Sequence, residues 1–326
     1  MSSLAAVSPD HILKNLGELW IALGQQQESG VLRACAMTMI VVDEESVEPA
    51  PVQEMIAELM HGHPSRAILL RVRPGEETDL ESRVYAQCWM PFGRRQQICC
   101  EQIEVRASEA RLVEAHRLLL GLLAPDLPVV LICRSLRLFL LPAFEPMLAV
   151  ADRIIIDSAA STEARHLLET IASQRRAGRQ VVDLAWTRLT PWRETIAAEF
   201  DDPQVLQKFS RLKRITIAHR RQGPPVEAWY LAAWLRCALE QPVEIQLQAG
   251  ASKEAIELLL LSAEQAQLAM TRSPGAALHI VWNEQAKTVP FPPATDADLL
   301  REELSLSGRD KIYDEVLDEA ITLSKR

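Results

Sequence analysis

Glycine is scarce in this chain, with 12 in 326 residues, well below the usual frequency of about 7%. A dinucleotide-binding βα turn needs glycines where the backbone meets the pyrophosphate. After its first β-type run the chain instead reads Asp43-Glu44-Glu45-Ser46-Val47-Glu48, whose carboxylates repel a phosphate. Walker A, GxSxG and HExxH patterns are absent as well, which removes the common signatures of nucleotide hydrolysis, serine hydrolysis and zinc proteolysis. The six cysteines include no CxxC spacing. A chain of this length needs no disulfide framework, so buried free thiols in a reducing cytoplasm are expected. Long apolar runs are missing too. The most apolar stretch, 118–144, is broken by Asp126, Arg134, Arg137 and three prolines, whereas a membrane helix takes about 20 nearly uncharged residues. Residues 1–10 lack the basic region of a secretory signal. Basic charge is not in excess: 35 Lys and Arg stand against 44 Asp and Glu, for a net charge of −9. That balance disfavours nucleic acid and anionic membranes as partners.

What is present reads as two α/β domains, 1–177 and 178–326, since about 100–200 residues make one domain. Apolar positions 12, 13, 16, 19, 20 and 23 form one helical stripe over 9–27. A β-type run at 35–42, a helix at 51–60 and a buried-type run at 67–72 give a β-α-β unit, which favours parallel pairing. Strands at 83–89 and 97–105 flank the turn Pro91-Phe92-Gly93-Arg94-Arg95. A helix at 109–123 and strands at 129–133 and 153–157 complete a mostly parallel or mixed sheet. Ser161 or Thr162 is expected to cap the next helix, and Gly178 to stop it. In the second half, Thr190-Pro191 starts a helix, as Pro-Pro at 224–225 starts another. Strands at 214–218, 243–247, 255–262, 267–272 and 278–282 form a mixed sheet, Pro290-Phe291-Pro292-Pro293 is a loop, and an amphipathic helix closes the chain at 310–323.

Four features could carry chemistry. His61-Gly62-His63 has no second ligand pair at zinc spacing and reads as a helix end. Cys99-Cys100 sits in a strand, where neighbours face opposite ways, so one packs and the other is exposed. Lys208, Arg211, Lys213, Arg214, Arg220 and Arg221 form a basic cluster with no acid between Pro203 and Val226. It is either a charged strand edge that discourages aggregation or an anion site built on Arg211, Lys213, Arg220 and Arg221. The stretch 183–193 is the densest: two Trp, two Arg, one Asp and one Pro in eleven residues. Trp and Arg dominate interface energetics, which makes Asp183, Trp186, Arg188, Pro191, Trp192 and Arg193 a candidate partner-binding set. On composition alone the alternative is equally good: Trp186 in the core, with Asp183 and Arg193 tying strand to helix.

Residues 183–193, DLAWTRLTPWR, resemble the signature of the glucose-6-phosphate dehydrogenase assembly protein (OpcA) family nearly word for word. HPSRAI at 63–68, LLAPDLPV at 122–129 and DRIIIDS at 152–158 resemble further family stretches, in the same order. The CRSLR sequence at 133–137 departs from the Trp- and Gly-containing family pattern. The resemblance implies a non-catalytic bacterial accessory protein that carries no cofactor or metal. It would bind glucose-6-phosphate dehydrogenase in a hetero-oligomer, promoting assembly or activation in the oxidative pentose phosphate pathway. Two other readings stand beside it: a sugar-phosphate or nucleotide sensor acting through the basic cluster at 208–221, and an enzyme of unrecognised type.

Overall fold

The computed structural model describes residues 7–26, 31–45, 50–75, 80–90, 97–220, 223–239, 242–251, 253–273, 275–282, 285–306 and 308–325. The turn expected at 91–95 lies outside them, as does Arg221. The chain divides into two compact units, 1–156 with 179–182, and 157–178 with 183–326.

The first unit is built on helices α1 (Pro9–Gln26), α2 (Ala50–Gly62), α3 (Leu112–Leu120), α4 (Leu136–Phe139) and α5 (Glu145–Leu148) and strands β1 (Val31–Arg33), β2 (Met37–Glu44), β3 (Ser65–Arg73), β4 (Glu81–Trp89), β5 (Gln97–Ser108), β6 (Val129–Cys133) and β7 (Arg153–Ile156). With β8 (Val181–Asp183) they form an eight-stranded sheet of order β1-β5-β3-β2-β6-β7-β8, with β4 paired to β5 off that path. β2 runs parallel to both β3 and β6, and only β4 is antiparallel to its neighbour among the pairings of β1 to β7. The sequence explains the layout: Met39–Val42 and Leu131 are fully buried, the mark of strands covered on both faces. Charge is buried here as well. Arg71 of β3 pairs with Glu104 of β5 at 3.2 Å, both about fully enclosed, which no apolar pattern reveals.

The expectation of free thiols fails at one pair. Cys88 of β4 and Cys99 of β5 face each other in the antiparallel register and are joined by a disulfide. Cys100, expected to be exposed if Cys99 packs, is buried like its neighbour, because β5 is covered on both faces at this point.

The second unit holds α6 (Ala164–Arg176), α7 (Leu184–Thr187), α8 (Thr190–Phe200), α9 (Pro203–Lys208), α10 (Val226–Leu239), α11 (Asp296–Ser305) and α12 (Lys311–Ser324). Its six-stranded sheet has the order β10-β9-β11-β12-β13-β14, formed by β9 (Leu212–His219), β10 (Glu244–Ala249), β11 (Ile256–Ala263), β12 (Gln267–Ser273), β13 (Ala277–Trp282) and β14 (Gln285–Pro290). β9 and β10 are parallel and the remaining pairs antiparallel, so the sheet is mixed. β14 and α11 were not expected from the sequence. Neither Ser161 nor Thr162 caps α6, whose N-cap is Glu163. Gly178 does end it in the left-handed region at φ +90°, which glycine adopts without strain. α10 buries Ala228, Tyr230, Leu231, Ala232 and Leu235 together with Glu227, so it is enclosed nearly all round rather than along one stripe.

Candidate functional site

The sequence 183–193 folds into two short helical turns in the second unit. Asp183 caps α7, its carboxylate accepting from the Ala185 amide. After the two-residue step at Arg188 and Leu189, Pro191 enters the first turn of α8, where its missing N–H costs no helical hydrogen bond.

Asp183 is buried and accepts four hydrogen bonds. The amides of Ser158 and Ala185 donate to Oδ1, each at 3.0 Å, and Ser158 Oγ (2.5 Å) and Tyr230 OH (3.0 Å) reach Oδ2. Burial, outweighing these bonds, pushes its pKa up to about 6. None of these four donors is Arg188. Arg188 instead grips Asp157 with both terminal nitrogens, at 3.1 and 2.7 Å, because the turn of α7 carries its side chain past the capping carboxylate.

The tryptophans are internal. Trp186 is 4% exposed, donates from Nε1 to Asp310 at 3.0 Å and lies against Tyr230 and Tyr313. The guanidinium of Arg193 covers its other side at 3.7 Å from the ring centre, and its Nη2 donates to Thr190. Trp192, also 4% exposed, meets Phe291 edge to face at 5.3 Å. Of the six candidate residues, Arg188, Pro191 and Arg193 keep partial exposure, while Asp183, Trp186 and Trp192 are buried.

Beside this segment, still within the second unit, is a cavity of about 190 Å³. Arg188, Pro191 and Trp192 line it, together with Glu227, Arg272 and Phe291. Glu227 is 2% exposed, and burial lifts its pKa to about 7 against the pull of Arg188 and Arg220. Sequence reasoning missed Glu227, since a Glu in the first turn of a helix ordinarily faces water. The one signal was its place directly after Pro224-Pro225-Val226.

Several described members of the basic cluster already have partners. β9 lies inside the sheet between β10 and β11, not at its edge. Lys213 is paired with Glu264 at 2.9 Å and Arg214 with Glu244 at 2.9 Å. Arg220 donates to the Ala159 carbonyl at 2.8 Å, and Arg211 is exposed. No group of three or more His, Cys, Asp and Glu among the described residues could hold a metal ion. His61, in the last turn of α2, contacts the Trp89 ring at 5.0 Å. No helix among the described residues is long and apolar enough to cross a membrane.

These features define a two-unit α/β chain whose most distinctive sequence is largely buried. Comparison with known proteins gives the group: residues 56–173 match the glucose-6-phosphate dehydrogenase subunit N-terminal domain family and 179–317 the C-terminal domain family. The chain belongs to the OpcA family of glucose-6-phosphate dehydrogenase subunits. It is 29% identical over 192 residues to the OxPP cycle protein OpcA of Nostoc punctiforme, covering 58% of this chain and 41% of that one. The corresponding Synechocystis protein is 27% identical over 192 residues, covering 58% and 40%. The matched stretch is thus about two fifths of the length of these relatives. Among solved structures, biliverdin reductase from Synechocystis superposes with a TM-score of 0.47 at 10% identity, covering 89% of this chain and 97% of that one. The 3-ketoreductase KijD10 from Actinomadura kijaniata gives 0.49 at 13%, covering 88% and 96%. Likeness at this level bears on neither chemistry nor ligand.

Proposed function

We propose that this chain is a non-catalytic, cytoplasmic partner of glucose-6-phosphate dehydrogenase that binds the enzyme in a hetero-oligomer and promotes its assembly or activation. The observation that carries this reading is the family match, which spans both units and includes 183–193. Activation of this kind asks for no reaction by the partner. A protein that binds the active assembly more tightly than the inactive one shifts the population toward it, by no more than its differential affinity. The dehydrogenase would supply the cofactor and sugar-phosphate sites.

Within 183–193 the geometry supports a division of labour. Arg188, Pro191 and Arg193 are partly exposed and form the candidate contact set. Asp183, Trp186 and Trp192 are buried, and Trp186 carries the Arg193 guanidinium on its ring. Substituting Arg193 and Pro191 together by Ala should weaken the complex with the cognate dehydrogenase while leaving the fold intact. Undiminished activation by that variant would move the contact surface elsewhere.

A further inference from the structure

The cavity beside α8 carries a carboxylate without a use. Glu227 Oε2 is buried and has no hydrogen-bond partner among the described residues. Its other oxygen lies 3.9 Å from Arg188 Nη1, too far for a hydrogen bond. Buried polar atoms are nearly always bonded, so an exception within a cavity asks for a donor from outside the chain.

The walls narrow the donor's chemistry. One is apolar: Trp192, Phe291, Pro292 and Pro293. The charged lining groups are of both signs, Arg188 and Arg272 beside Glu227 and Glu254. Both arginines are also engaged already. Arg188 holds Asp157, while Arg272 donates to the Phe291 carbonyl at 2.8 Å, lies 4.7 Å over that ring and reaches Glu254 at 3.5 Å. An anion would have to compete with these carboxylates, and an ammonium would meet two guanidinium groups. A hydroxyl suits the site better, since it both donates and accepts and pairs with a carboxyl in either protonation state. The volume of about 190 Å³ is below the roughly 300–1,000 Å³ of drug-sized sites, which leaves room for about one ring.

We infer that this cavity binds a neutral, hydroxylated small molecule of monosaccharide size, its ring against Trp192 and Phe291 and a hydroxyl on Glu227. The inference stands apart from the partner assignment, because binding is read on this chain alone. The experiment is isothermal titration calorimetry of the full chain with D-glucose, inorganic phosphate and ethylammonium chloride. Glucose should bind saturably with a millimolar or tighter Kd, and the two ions should not. Glu227→Met keeps the volume and removes the acceptor, and should weaken glucose about 10- to 100-fold, as for loss of one charge-assisted bond. Ala294→Trp, on the exposed rim, should abolish binding with the melting temperature unchanged, which keeps the test valid if Glu227→Met fails to fold. No glucose binding, binding of phosphate or ethylammonium in its place, or full affinity in Ala294→Trp would each overturn the inference.

Discussion

Replacing Asp183 by alanine removes the acceptor of four hydrogen bonds at once, those from the amides of Ser158 and Ala185, Ser158 Oγ and Tyr230 OH. A buried donor left without a partner costs about 1–3 kcal/mol. The losses overlap, and the substitution also relieves the burial of a charge, so a net destabilisation of about 3 kcal/mol is expected, less than the sum of four unsatisfied groups. pH gives an independent check. The folded-state pKa of Asp183 is raised from 3.8 to about 6, so between these values the folded chain holds a proton that the unfolded chain has lost. The contribution of this group is therefore fully present below about pH 4 and falls as pH rises through 6, by about 3 kcal/mol at 1.36 kcal/mol per unit. Asp183→Asn does not titrate and keeps an acceptor for the two amides. Its cost relative to the natural chain should be about 3 kcal/mol smaller at pH 7 than at pH 4. Glu227, whose pKa is raised to about 7, tilts the stability curve the same way, but cancels in the difference between the two chains. Urea unfolding followed by tryptophan fluorescence at both pH values measures each quantity. A cost below about 0.5 kcal/mol for Asp183→Ala, the level of an ordinary surface change, would refute the structural role of this residue. An equal Asp183→Asn cost at the two pH values would refute the assigned ionisation.

Other outcomes follow from the same contacts. Trp192→Ala should cost about 3–5 kcal/mol, as for a buried aromatic, and a near-neutral result in thermal unfolding would place Trp192 on the surface. Arg193→Met keeps the aliphatic stem but loses the cation over Trp186, and should cost about 1–2 kcal/mol, measured by the same melts. Peptide mapping without reductant should recover a Cys88–Cys99 cross-link, whose reduction should lower stability by no more than about 3 kcal/mol for so short a loop. Recovery of both as free thiols would contradict the bridge.

The parts of the fold that were legible in the sequence are those where one physical rule acts alone. β2 and β6 stand out because a strand covered on both faces must be apolar throughout, and the start of α8 because Thr190-Pro191 is locally suited to a first turn. β14 was hidden: its sequence QAKTVP is mostly exposed, so burial imposes no alternation on it. α11 carried a readable signal, the Thr295–Asp298 capping box, beside a proline-rich stretch that drew the whole region toward loop. Asp183 was singled out from composition, but its partners Ser158 and Tyr230 lie 25 and 47 residues away and only the tertiary fold brings them together. The same holds for Asp157 as the mate of Arg188. Glu227 shows the opposite failure: a charged residue is read as exposed until the packing around α10 encloses it. Cys88 and Cys99 were separable only by register, since neither sits in a recognised spacing.

Native mass spectrometry of this chain mixed with glucose-6-phosphate dehydrogenase, with dehydrogenase activity assayed on the same samples, tests the proposed partnership. A defined hetero-oligomer whose appearance coincides with raised activity is expected. Two separate species and unchanged activity at micromolar concentrations of both would contradict it.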